Sequence, residues 1–448
     1  MKREMSFRWL KISLLGTSLL GFASPLPAWA GGFSINENSA ADLGRANTGR
    51  VTQTQDASSA FGNPALMVRY EHFTISNTAS YITGDASFED QGSIDLTGES
   101  LGGDTDGFFD SAIVPALQLI YPISERWAAG LSVNAPFGLS STYDEGWTGR
   151  YQGLGSELLT INVNPSIAFA VNDTLSVGGG VNVQYANVEL SSAIDFGAVC
   201  FAEIGPEGCT NLGLTPQAAD GLVEIEGDDI SFGYNIGVAF SPSEAVTLGA
   251  HFRSRVRHDI EGEADFTVPG NAQALTATGA FTDSDGTAEL PLPASFEVGV
   301  GWKLNENISL YANFLRTYWS DLEELRIDFE NPAQPDTIEE LNFETADRYG
   351  VGVDVSVHKN WTLRAGYSFD EGAAADGFRT VRIPDNDRDI YAFGVSFTGL
   401  EHWRFDVGYN RFDFKTTDFT RIGPSNDLVT GVIRADVDVF SIGGSKTF

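Results

Sequence analysis

Beyond Ala30 this chain contains no apolar run approaching the ~20 residues that a membrane-spanning helix needs, which excludes a helical membrane protein. Bases are scarce: 27 Lys and Arg stand against 61 Asp and Glu, for a formal charge of −34. So negative a surface repels nucleic acid and anionic lipid. Five histidines are scattered through 448 residues with no zinc-type His/Cys spacing, so no metal site is expected. None adjoins a nucleophile motif, which argues against a Ser/His/acid hydrolase, and no cofactor or covalent chemistry is expected. Asp104-Thr105-Asp106-Gly107 and Asp283-Ser284-Asp285-Gly286 start like calcium loops but lack the downstream glutamate, and read as acidic turns. There is no long linker and no low-complexity tract to divide the chain into soluble domains. Cysteine is limited to Cys200 and Cys209, which in an oxidising compartment are expected to staple a loop through a local disulfide.

The beginning of the chain points to that compartment. Lys2, Arg3, Arg8 and Lys11 precede an apolar run from Ile12 to Phe22, and Ala28-Trp29-Ala30 supplies a small-x-small cleavage site. This is the layout of a secretory signal peptide over residues 1–30, with an apolar run too short to cross a bilayer.

From about residue 70 the dominant signal is alternation. Phe232, Tyr234, Ile236, Val238 and Phe240 share one parity. Trp403, Phe405, Val407 and Tyr409 do the same against Arg404, Asp406, Gly408 and Asn410. A soluble sandwich buries such a face against a second sheet, whereas a membrane barrel turns it to lipid. Turn spacing separates the two. Six short turns, near Ser124, Asn172, Pro242, Asn305, His358 and Leu400, are each separated by enough chain for two strands and a long loop. With both termini on one side, the pattern predicts an all-β transmembrane fold. It is an antiparallel outer-membrane barrel of about fourteen strands over residues 69–448. The acids cluster in segments expected to be outward loops, where they keep those loops solvated. Residues 31–68 do not alternate and read either as a periplasmic tail or as a plug inside the lumen.

Three motifs then carry a resemblance. The first is Gly32-Phe33, Asn36, Leu43-Gly44-Arg45-Ala46, Gly49, Asp56-Ala57 and Asn63-Pro64-Ala65. The second is Asn134-Ala135-Pro136-Phe137-Gly138-Leu139 with Tyr143, Trp147 and Gly149-Arg150-Tyr151; the third is Ile383-Pro384-Asp385-Asn386-Asp387-Arg388. Over essentially the whole mature length the chain resembles the outer-membrane long-chain fatty acid transporter family. The resemblance implies a fourteen-stranded barrel with residues 31–68 as an N-terminal hatch inside the lumen. It implies gating roles for Gly44, Arg45, Asn63, Pro64 and Ala65. It also implies ligand binding among the outer loops and then against the plug, with sideways release through a kinked third strand. The residues support that opening at Asn134, Pro136, Phe137 and Gly138, since a proline in strand three removes a ladder donor. The alternative is a strand that ends early at its outer rim. Pro165 also interrupts a strand pattern, with no function to explain it.

Parity places Arg348, Arg364, Arg388 and Arg404 inside the lumen on strands ten to thirteen. Counting back from the turns puts Arg348 and Arg388 at similar depth. Arg348, Arg364 and Arg388 are candidates to hold a ligand carboxylate, or else to pair with acids such as Asp42, Asp56, Asp347 or Asp354. The positions where the resemblance implies basic head-group contacts fall here on Ser192 and near Glu339. The expected function is passive uptake of long-chain fatty acids or similar hydrophobic molecules by a channel that is not an enzyme. Its expected setting is the outer membrane, as a monomer in contact with membrane lipid and inserted by the barrel assembly machinery. Uptake of aromatic or alkane hydrocarbons, a general porin, and a purely structural barrel are the rivals.

Overall fold

Along many strands of this chain, large apolar side chains lie on the outside and polar ones on the inside. In the computed structural model, which describes residues 32–448, Ile161, Val163 and Ile167 are exposed while Asn162, Asn164 and Ser166 are buried. The expected export signal lies outside the described residues. Such an inversion is stable only where the outside solvent is hydrocarbon. Among the described residues no helix is long and apolar enough to cross a membrane, so strands do the crossing.

The strands form fourteen antiparallel staves. They are β1 (Thr74–Asp90), β2 (Ala112–Ser124), β3 (Trp127–Asn134 and Gly138–Thr142), β4 (Gly155–Ala170) and β5 (Leu175–Asp195). Next come β6 (Asp220–Ser243), β7 (Val246–Arg253 and Val256–Thr267), β8 (Ser284–Leu292 and Ser295–Lys303) and β9 (Ile308–Thr317 and Glu324–Phe329). The circuit ends with β10 (Thr337–Glu340 and Ala346–His358), β11 (Trp361–Asp370), β12 (Arg388–Leu400), β13 (Trp403–Phe414 and Thr417–Ile422) and β14 (Leu428–Thr447). β1 pairs with β14 from Thr74↔Thr447 to Asp90↔Gly431, which closes the sheet and leaves no edge along that seam. All six short turns expected from the sequence connect staves at one end. Exposed Tyr121, Trp127, Trp302, Trp361, Trp403 and Phe448 cluster near that end as an interfacial girdle.

The opposite end carries the long loops. The loop between β5 and β6 folds into two short helices, Phe196–Ile204 and Pro206–Asn211, joined by the expected Cys200–Cys209 disulfide. Arg150, between β3 and β4, meets Asp220 at the base of β6 at 2.8 Å and so ties two outer segments together.

The acids depart from expectation. Many sit on outward positions of staves that continue past the membrane, not in loops. Glu157, Glu189, Glu226, Glu263 and Asp285 stand directly opposite one another across β4 to β8. Like charges opposed on one face destabilise a sheet. Glu226→Gln should therefore raise the thermal unfolding midpoint of the solubilised barrel by about 1–3 °C at low ionic strength, an advantage that shrinks in high salt. An unchanged midpoint at low salt would mean that counterions already neutralise the row.

Candidate functional site

The ladder fails at one place on the third stave. β3 breaks at Ala135, Pro136 and Phe137 and resumes at Gly138. Its pairing with β2 ends at Leu117↔Val133, while β2 runs on from Ala116 to Ala112 paired with β1 alone. The two staves meet again only at the rim, where Thr142 donates its N–H to the Phe108 carbonyl at 3.1 Å. Between those points the ladder joining β2 to β3 has a gap. Pro115 lies on its β2 edge, where an absent donor costs least.

Backbone from the lumen satisfies the kink. The Ile35 N–H donates to the Pro136 carbonyl at 2.8 Å, and the Gly138 N–H donates to the Phe33 carbonyl at 3.0 Å. Asn134 donates to the Asn38 side chain at 2.9 Å, and Thr160 on β4 accepts the Phe137 N–H at 3.0 Å. Pro165 behaves differently. Its neighbour Asn164 donates its side-chain amide to the Val181 carbonyl at 2.9 Å, which supplies the donor the proline lacks and keeps the wall shut.

The segment that reaches the kink is part of a larger body. Residues 32–69 pack against inward positions of the staves and are almost wholly buried. The turn at the end of the helix Ala40–Leu43 approaches β12 so closely that a Cβ on Gly44 would lie 2.8 Å from the Gly394 Cα. Arg45 is fully buried, paired with Asp42 at 2.6 Å and Asp354 at 2.8 Å and lying over the Tyr311 ring. Asn63 donates to the Val51 and Val238 carbonyls at 3.0 Å and caps the turn Pro64–Arg69 through the Ala65 N–H. The Ala65 carbonyl accepts from Ser176 at 2.7 Å. These five residues anchor the segment to β5, β6, β10 and β12. The part that touches the kink is Phe33 to Asn38, of which the sequence reading singled out only the Gly32-Phe33 and Asn36 matches.

The lumen arginines divide. Arg364 lies between Asp354 and Asp406 at 3.4 and 3.3 Å, and Arg388 between Asp370 and Asp385 at 3.0 and 2.7 Å. Both are occupied by wall acids, because a buried cation without a partner is costly. Arg404 is held by Asp406 at 2.8 Å. Arg348 and Arg388 do share a depth, each opposite Asp370 in the ladder. Arg348 alone of the four has no carboxylate within ion-pairing distance among the described residues.

Above the kink lies an apolar cleft of about 890 Å³, measured out to its mouth. Leu158, Leu190, Ile225, Ile260, Leu290 and Ile327, one from each of β4 to β9, line it, and Phe33 lines it from the segment inside the lumen. Its cation is Arg382, which the sequence reading passed over. Arg382 donates to the Gly155 and Ser191 carbonyls at 2.6 and 3.0 Å and lies 3.5 Å from Glu339. It therefore stands beside the two places, Ser192 and the stretch near Glu339, where the resemblance had implied basic residues. Its signal in the sequence was its position immediately before Ile383-Pro384-Asp385.

Comparison with known proteins places this geometry. The chain is 27% identical over 404 residues to a long-chain fatty acid transport protein of Escherichia coli O6:H1, covering 88% of this chain and 89% of that one. Its fold superposes on a FadL homologue of Pseudomonas aeruginosa with a TM-score of 0.85 at 24% identity, over 93% of this chain and all of the other. The toluene transporter TodX of Pseudomonas putida superposes at 0.65 with 16% identity, over 92% and 99% of the two chains. Residues 23–448 match the outer membrane protein transport family, OMPP1/FadL/TodX. The chain belongs to that family of Gram-negative outer-membrane channels, and it is not an enzyme.

Proposed function

We propose that this channel takes up long-chain fatty acids or molecules like them, with residues 32–69 as its hatch and the gap beside Pro136 as its exit. One observation carries the reading: Phe33 lines the apolar cleft, and its own carbonyl holds the kink through the Gly138 N–H. A ligand that displaces Phe33 would open the floor and free the exit in one movement. Long chains gain about 0.8 kcal/mol per methylene buried in such a cleft. Arg382 would hold the head group by charge-assisted hydrogen bonds in exchange for Glu339. Release would be sideways into outer-membrane lipid, by a monomer that the barrel assembly machinery inserts. The name of the fatty acid transport relative supports that cargo, and Arg382 supplies the cleft with a cation, although four glutamates also line it and one of them, Glu339, already lies beside Arg382.

The seating of the hatch should depend on pH. Burial pushes the Glu37 carboxyl up to about 7, against the pull of the Asn36 N–H and of Arg348 and Arg50. In an unseated hatch the same group would ionise near the ordinary 4.5. A raised carboxyl stabilises the seated form fully at low pH and loses that contribution as pH rises through about 7. Amide exchange over Phe33 to Leu43 should therefore speed up between about pH 4.5 and 7 beyond the intrinsic rate and level off above that. Glu37→Gln should flatten that excess, and an equal excess in the variant would remove Glu37 as its source.

Uptake of oleate and toluene by cells lacking their own transporter tests the main reading. Pro136→Val with Gly138→Val, intended to straighten β3 and close the gap, should reduce oleate uptake at least tenfold. Arg382→Met should weaken oleate binding several-fold and leave toluene unaffected. Uptake of toluene alone would reassign the cargo to hydrocarbons. Unchanged uptake in the double variant would sink the lateral exit.

A further inference from the structure

Below the aromatic partition lies a second cavity of different character. Phe33 meets Trp319 edge-on at 4.6 Å, and Phe137 meets the same indole at 6.0 Å. Phe33 faces the apolar cleft, while Trp319 and Phe137 face a polar chamber bounded by the kink at Pro136, the hatch at Ser34 to Asn36, and staves β7 to β11. This chamber is lined by Arg50, Arg253, Arg348 and His251, with Glu297 and Asp370 as its acids.

Both acids are already engaged. Glu297 is held by Arg50 at 2.6 Å, and Asp370, although opposite Arg348 in the ladder, turns to Arg388 at 3.0 Å. Arg253 donates to the Asn182 side chain at 2.6 Å and to the Phe61 carbonyl at 3.2 Å, both uncharged. What remains is a set of buried nitrogens without partners. Arg348 is 2% exposed, and its Nε and Nη2 have no hydrogen-bond partner. Trp319 is fully buried with an unpartnered Nε1, and buried His251 has an unpartnered Nε2. Guanidinium and indole groups donate and never accept, so the missing component is an acceptor. The empty pair on Arg348, Nε with one terminal nitrogen, forms an edge of the guanidinium that can receive both oxygens of a carboxylate. Asp370, Glu297 and Glu37 act on Arg348 only from beyond ion-pairing distance, and an incompletely paired buried cation favours an anion over a neutral group in the chamber.

We propose that this chamber is a second binding station for the carboxylate of an amphiphile in transit, held by Arg348 and the Trp319 indole next to the lateral gap. The proposal rests on the uptake reading above and adds a site to it. The ligand would first be held at Arg382 with its chain in the cleft. Once Phe33 yields, its carboxylate would pass to Arg348 and arrive beside the exit still neutralised. A neutral hydrocarbon would gain nothing from this station.

Carboxyl-labelled 13C-dodecanoate bound to the full barrel in detergent should give two bound resonances by NMR. One should vanish in Arg382→Met and the other in Arg348→Met, while binding of dodecan-1-ol stays within about twofold in Arg348→Met, because its chain needs only the cleft. Arg348→Lys should restore part of the second resonance through charge alone. Trp319→Phe keeps the ring and removes the N–H donor. It should weaken the second site several-fold, so it tests the chamber even where Arg348→Met does not fold. A spectrum whose bound signals all depend on Arg382 overturns the chamber and leaves the uptake reading standing. A second resonance that survives both Arg348→Met and Trp319→Phe overturns it as well. No bound carboxyl at all overturns both readings.

Discussion

A backbone group facing hydrocarbon with no partner costs several kcal/mol, and the whole architecture follows from meeting that demand. Fourteen staves closed through β1 and β14 meet it around the circuit. The two prolines that break the stave pattern show how strictly. At Pro165 a side chain repairs the loss locally and the wall stays continuous. At Pro136 the repair comes from the hatch, so continuity there depends on a segment some hundred residues away in sequence. A wall mended by its own residue has one state. A wall mended by a separate body would open if that body withdrew.

The charges inside the lumen serve the same division. Arg45, Arg364 and Arg404 with Asp42, Asp354 and Asp406 form a continuous lattice of ion pairs and hydrogen bonds between hatch and staves, joined by Gln55. Close backbone approaches at Gly44 and Gly394 lock it further. Breaking one partner of such a buried pair is costly because the other is left uncompensated. The C-terminal body of the hatch is therefore held firmly. Phe33 to Ile35 are held by two strand hydrogen bonds and aromatic contacts, a much weaker grip. Any motion that the proposed uptake requires would fall at this weakly held end.

Local pattern determined what the sequence revealed. Alternation and tight turns repeat along the chain, so the stave number and the common depth of Arg348 and Arg388 could be read from it. The acid row was misplaced because alternation persists outside the membrane with Glu where Ile stood: Glu157 shares the parity of Ile161, and Glu226 that of Phe232. Arg382 and the contact between Phe33 and the kink were not legible for another reason. Each owes its role to neighbours far off in sequence, Ser191 and Glu339 for one and Gly138 for the other. Whether Arg364 was free or paired likewise turned on Asp354 and Asp406, which only the barrel register brings beside it.

Under the proposed route, the weak end of the hatch would also discriminate among ligands by size. Freeing Phe33 would give up two backbone hydrogen bonds at about 1 kcal/mol each where lumen water replaces them, two aromatic contacts at about 0.5–1.5 each, and the burial of its ring at about 1.5–3, roughly 4.5–8 kcal/mol in all. At about 0.8 kcal/mol per methylene, about six to ten buried methylenes would offset that cost. A single aromatic ring, worth about 1.5–3 kcal/mol on burial, falls below it. A long alkyl chain has methylenes left over after displacing Phe33, and a small ring has none. In the proposed route the two hydrogen bonds that join Phe33 and Ile35 to the kink would thus set a threshold of chain length, which favours a fatty acid over a monoaromatic hydrocarbon as cargo.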